Sequence, residues 1–93
     1  MAREHLITDV LAYRLEPCKI FTVSFLNGAS DAQGVSIGRG RLASGDADLT
    51  LKGSVGITSQ FAFGGLEFPD GFTVFPTAAT VTDIIIEYED VNQ

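Results

Sequence analysis

The closing stretch of this chain does most to limit what it can fold into. From Val81 to Tyr88 the residues alternate, which predicts Thr82, Ile84, Ile86 and Tyr88 on one face of a strand and Val81, Asp83, Ile85 and Glu87 on the other. Ahead of it, Leu66-Glu67-Phe68, Pro69-Asp70-Gly71 and Phe72-Thr73-Val74-Phe75 read as strand, tight turn and strand. Proline presets φ at the first turn position, aspartate bonds to its own backbone, and glycine accepts φ > 0. This last third predicts antiparallel β structure and carries no group of reactive side chains.

The earlier residues agree. Lys19 to Leu26 is the clearest strand of the first half, with Phe21, Val23 and Phe25 predicted on one face and Ile20, Thr22, Ser24 and Leu26 on the other. Asn27-Gly28 is a strong turn signal. Val35 to Gly40 reads as a glycine-interrupted strand, Ser44-Gly45-Asp46 as a turn, Asp48 to Lys52 as a short strand, and Gln60 to Phe63 as a strand ended by Gly64-Gly65. His5 to Leu15 reads as extended, with a short helix over Thr8 to Tyr13 as the alternative. Pro76 to Thr80 reads as a loop or crossover. The fold class is all-β, an antiparallel β-sandwich or jelly-roll-like fold of about seven to nine short strands. Residues 1–93 form one domain, with residues 1–15 an N-terminal arm or an edge strand.

Composition narrows the partners. Ninety-three residues bury on the order of 60–65% of their extended surface, a thin core, and seven Phe with no Trp suggest that Phe fills much of it. Six basic residues and a net charge of −6 argue against nucleic acid and against anionic membranes. The apolar runs fall far short of the roughly 20 residues that span a bilayer, and no secretory signal follows Met1. The reading is a soluble protein made in a cytoplasm. The lone Cys18 forms no intrachain disulfide.

Reactive groups are few. His5 is the chain's one histidine, and any Ser-His-Asp or Cys-His arrangement must use it; it reads as a surface or interface residue. Cys18 reads as a packed structural residue, because Lys19 points to the opposite face and cannot activate it. Asp46 and Asp48 resemble the opening of a calcium loop, but Thr50 stands at the next alternate position and the distal Glu is missing; a polar turn is the simpler reading. Arg39 and Arg41, in Gly38-Arg39-Gly40-Arg41, lack a nucleotide-loop context and are expected to meet carboxylates, within the chain or on a partner. No catalytic residue, cofactor site or metal site is assigned. Ile85 faces outward between Asp83 and Glu87, as a tolerated surface residue or part of an interface.

Several stretches together resemble small virion proteins of tailed bacteriophages. These are Arg3-Glu4-His5-Leu6, Lys19 to Leu26, the glycine-rich Val35 to Lys52, Phe63-Gly64-Gly65-Leu66-Glu67-Phe68-Pro69-Asp70-Gly71-Phe72 as a hairpin, and Val81 to Glu89. The resemblance implies a non-enzymatic capsid decoration (cement) protein, located in the virion, homotrimeric, and bound to the major capsid protein of a phage head. Neck, tail or fibre location is the alternative within that class. The expected contact residues are Leu6, Ile7, Val10 and Leu11 of the N-terminal segment, with Arg39, Arg41 and Ile85; the Asn27 to Gly34 loop is a second candidate. From another class, a carbohydrate-binding β-sandwich would use exposed aromatics, with Tyr13 and Phe75 as candidates.

Overall fold

A computed structural model describes residues 3–41 and 47–91. Eight strands follow in order: β1 (Glu4–Thr8), β2 (Ala12–Arg14), β3 (Cys18–Asn27), β4 (Gln33–Arg39), β5 (Leu49–Gly53), β6 (Thr58–Phe68), β7 (Phe72–Pro76) and β8 (Val81–Asp90). The antiparallel pairs are nested: β1 with β8, β2 with β7, β3 with β6, β4 with β5. Further pairing of β3 with β8 and β4 with β7 completes two four-stranded sheets, β1-β8-β3-β6 and β2-β7-β4-β5. This is the strand order of an eight-stranded jelly roll.

The nesting corrects the local reading of the last third. Phe68-Pro69-Asp70-Gly71 is a tight turn, closed by Gly71 N–H donating to the Phe68 carbonyl at 3.0 Å, with Gly71 at φ 77°. It does not make a hairpin, because β6 and β7 lie in opposite sheets. Asn27-Gly28 likewise leads from one sheet to the other, and Pro76 to Thr80 is a crossover. The Ser44-Gly45-Asp46 turn lies outside the described residues. The N-terminal segment is built into the sandwich, with β1 and β2 at an edge of each sheet. No helix forms over Thr8 to Tyr13; Thr8 instead closes a small turn, its hydroxyl donating to the Val10 carbonyl at 2.9 Å and accepting from Val10 N–H at 3.1 Å.

Two bulges rephase the strands against the period of two. In β3 the register with both neighbours shifts between Ile20 and Thr22. Cys18 and Ile20 therefore face the core before the shift, and Val23, Phe25 and Asn27 after it, while Phe21 is only half-buried. Opposite Phe21, β6 takes up extra residues at Gly64 and Gly65, both at positive φ, so the glycine pair bends the strand and does not end it. In β8, Asp83 has φ 54°, which turns both Val81 and Ile84 inward. The free Asp83 N–H is capped by Asp9 Oδ1 at 2.9 Å.

The core between the sheets is built on aromatic contacts. Phe25 stacks on Phe61 with centroids 5.8 Å apart, and Phe72 meets both Phe68 and Tyr88 edge-on at 6.0 Å. Ile20, Val23, Val35, Ile37, Val74, Val81, Ile84 and Ile86 fill the rest. The packing is less complete along the sides, where Leu6 and Ala12 at one edge and Leu49, Leu51, Phe61 and Phe63 at the other are only partly buried.

At one end a charged pair ties the sheets. Arg14 of β2 donates through Nε to Asp90 Oδ1 at 3.1 Å and through Nη2 to Asp90 Oδ2 at 2.6 Å. Its guanidinium lies 5.2 Å from the Tyr88 ring centroid and also meets Glu16 at 3.1 Å. The Arg14 hydrogen bond holds the Asp90 carboxyl below its usual range. A depressed carboxyl pKa stabilises the fold above the unfolded value of about 4, and that contribution is lost as pH falls through the folded value. Asp90→Ala is expected to cost about 2 kcal/mol at neutral pH, less than a fully buried pair because Arg14 keeps part of its surface in water. Urea titrations from neutral to acid pH check this: Asp90→Ala and Arg14→Met should both flatten the acid limb of the stability curve.

Candidate interaction surface

The two open sides of the sandwich carry most of its exposed apolar groups. The first edge is formed by β1 and β2 and the turn between them. It presents Ile7 and Val10, 70% and 65% exposed, with Leu11, Tyr13 and Leu15. The second edge is formed by β5 and β6 and their connecting loop. It presents Val55 and Ile57, each more than half exposed, with Leu66. Among the described residues only Val91 completes the set of exposed large hydrophobics.

Topology sets the heights of these groups. Because the strands alternate in direction, the β1–β2, β3–β4, β5–β6 and β7–β8 connections share one end. Hydrogen bonds knit that end: Asn27 N–H to the Ile57 carbonyl at 3.3 Å, Gly56 N–H to the Asn27 carbonyl at 2.7 Å, and Gly28 N–H to the Thr80 carbonyl at 3.0 Å. Val10 and Leu11 occupy one corner of this end, and Val55 and Ile57 the opposite corner. Toward the other end, an open groove of about 250 Å³ runs along the second edge. Leu49, Leu66 and Phe68 make it apolar, and Arg39, Asp48 and Glu67 complete its lining.

The candidate contact residues separate into groups. Ile7 stands on the outer face of the first sheet, directly opposite Ile85, which is half-buried. Leu6 turns inward opposite Ile86 and packs against the core. Val10 and Leu11 are exposed in the turn. Arg39 meets a carboxylate of its own chain: its backbone N–H donates to Asp48 Oδ2 at 2.8 Å and its Nε to the same oxygen at 3.3 Å. These bonds lower the Asp48 pKa, the backbone one most. Among the described residues Arg41 meets an aromatic ring, with its guanidinium 4.7 Å from the Tyr13 centroid. The periodicity of the sequence missed Val55 and Ile57, which sit in a Gly-Ser-Val-Gly-Ile stretch; the cue available was two β-branched apolar residues in a loop.

The chain's histidine and thiol do not come together. His5 pairs with Glu87 on the solvent face of the first sheet, Nε2 to Oε2 4.0 Å, where Arg3 also reaches Glu87 at 3.5 Å and covers the Phe21 ring at 3.8 Å. Cys18 faces the core, 1% exposed. Burial pushes its thiol up to about 11, and the negative Asp90 adds to the shift. A thiol reagent at pH 8 is therefore expected to label Cys18 only as fast as the protein opens; rapid stoichiometric labelling of the native chain would contradict the assignment. Asp46 lies outside the described residues and Asp48 is engaged by Arg39. No cluster of three His, Cys, Asp or Glu able to hold a metal ion occurs among the described residues. Of the two aromatics suited to sugar stacking, Tyr13 lies under Arg41 and Phe75 is 7% exposed.

Comparison with protein-family models, with curated proteins and with solved structures finds no match to this chain.

Proposed function

We propose that this chain is a non-enzymatic structural protein of a tailed-bacteriophage particle, a decoration protein that binds and stabilises the head shell. The observation that carries the reading is a jelly roll with an apolar packed interior whose exposed large hydrophobics stand mostly along its two edges. A row of exposed apolar side chains along an edge suits contact with another protein. The sequence resemblance supplies the setting, a virion, and the partners, the major capsid protein and further copies of the chain. A thin-cored domain gains stability from such partners, because whatever binds only the folded state shifts folding toward it. The carbohydrate-binding alternative asks for accessible aromatic platforms, and Tyr13 and Phe75 are poorly suited to that role.

Immunogold labelling of gradient-purified particles from a phage carrying the gene tests this directly. Label on the heads is the expected result. Label confined to tails moves the protein to another part of the particle, and absence from the particles rejects the reading.

A further inference from the structure

We propose that Asn27-Gly28 is a self-modification site gated by folding: the native sandwich preserves the Asn27 amide, the opened chain converts it to a carboxylate, and the converted chain does not regain the native fold. This holds whichever partner covers the edges of the sandwich.

The chemistry is internal to the dipeptide, which occurs once in the sequence. In an open chain, hydroxide takes the Gly28 amide proton and the Gly28 nitrogen attacks Cγ of Asn27. The N–Cγ bond forms, the Cγ–Nδ2 bond breaks, and Nδ2 takes a proton from water and leaves as ammonia. The product is a cyclic succinimide. Water then opens the ring at either carbonyl, giving aspartate or isoaspartate. The net change is water in and ammonia out, with no oxidation. Glycine at the second position favours the attack, because no Cβ shields the nitrogen and the backbone turns freely.

The fold holds each reacting group in place. Asn27 Nδ2 donates to the Asp31 and Gly53 carbonyls at 3.0 Å, and Oδ1 accepts from Ala29 N–H at 2.9 Å. The nucleophile is engaged too. Gly28 N–H donates to the Thr80 carbonyl at 3.0 Å, and a Cβ on Gly28 would lie 2.7 Å from that oxygen. The Asn27 backbone is pinned on both sides, its N–H by Ile57 and its carbonyl by Gly56. Asn27 is 0% exposed, which keeps hydroxide and water from it. The partners come from the β3–β4, β5–β6 and β7–β8 connections and from the end of β5, so freeing the dipeptide means parting the sheets.

Either product is excluded from the fold. Aspartate sets a buried carboxylate against the same two carbonyl oxygens. Isoaspartate adds a carbon to the main chain and leaves the former Asn27 carbonyl as a free carboxylate. Whatever binds only the folded chain lowers the open fraction and slows the conversion in proportion. The site therefore records how long a chain has been open.

Mass spectrometry of the tryptic peptide 20–39, after incubation of the full chain at pH 8, tests the proposal. In unfolding urea the wild type is expected to gain the mass of an amide turned acid, placed at Asn27, as a mixture of aspartate and isoaspartate. Without urea the peptide is expected to stay intact over the same period. Asp90→Ala lies beside Cys18, at the far end of β3, and touches none of the bonds around Asn27. In low urea, with both chains still mostly folded, it should convert faster than wild type in proportion to its measured loss of stability, roughly 30-fold for a loss of the size expected above. Arg14→Met repeats this from the other side of the pair. A short proteolytic pulse after return to native buffer should remove converted chains and spare the others. No conversion in unfolding urea overturns the proposal, as does conversion of the native chain at the urea rate. So do aspartate without isoaspartate, variant rates that do not follow stability, or converted chains that survive the pulse.

Discussion

Asn27→Asp, a change of one side-chain atom, is expected to cost about 4 kcal/mol at neutral pH and to lower the melting temperature by roughly 15–30 °C. Asn27 is 0% exposed at the end of β3. Its Nδ2 donates to the Asp31 and Gly53 carbonyls, both at 3.0 Å, and its Oδ1 accepts from Ala29 N–H at 2.9 Å. One amide thereby makes three bonds that tie the β3–β4 connection to the end of β5. A carboxylate would turn a buried acceptor toward two carbonyl oxygens. Asn27→Ala loses the same bonds without adding a charge, and about 2–3 kcal/mol is expected.

The two substitutions differ in pH dependence. The introduced carboxyl keeps its proton in the folded state to a higher pH than the value of about 4 it has when unfolded. Its penalty is therefore small in acid and grows as pH rises above that value. Chemical denaturation of both variants from pH 4 to 8 should show the gap between them widening. A constant gap would mean that the new side chain has swung out to water.

The second large effect is expected at Gly34. A Cβ there would overlap the Leu51 carbonyl and come within 2.8 Å of the Phe25 ring. The carbonyl belongs to the paired strand β5, and Phe25 is fully buried against Phe61, so neither can retreat without opening the sandwich. Gly34→Ala is expected to cost at least about 4 kcal/mol, which approaches the whole stability of a domain this size. Gly64 gives the contrast. It has φ 66° with open space where its Cβ would lie, so Gly64→Ala carries only backbone strain of about 1 kcal/mol. Thermal melts of the two variants separate crowding from strain. Gly34 is not among the glycines at positive φ, so equal losses would show that the Leu51 carbonyl and the Phe25 ring give way at little cost.

The class of this fold was legible because most of it follows from local chemistry. Ile84, Ile86 and Tyr88 face inward as their spacing predicts, and Pro69-Asp70-Gly71 makes its tight turn. Strand partners were not legible, since a tight turn serves equally to join neighbours in one sheet and to cross between two. The faces of β3 failed at Phe21, where a bulge carries the inward phase from Ile20 to Val23. The spacing of Cys18, Ile20, Val23 and Phe25 held that information, but a strict alternation reads past it. Asn27 looked like turn chemistry and is a buried hub, because its role depends on loops more than twenty residues away. Of the exposed surface, Ile7, Val10 and Leu11 could be anticipated from apolar residues among charges, whereas the pairing of Arg41 with Tyr13 requires the three-dimensional course of the chain.

Nested pairing has a consequence for synthesis. The last of the eight described strands to emerge from a ribosome, β8, lies between β1 and β3 in the finished sheet. Until it is released, β1 has no neighbour in that sheet, and β3 can pair on one side only. Nascent chains should therefore wait largely unstructured until β8 emerges, and then acquire their form at a pace governed by contacts between the remotest parts of the sandwich.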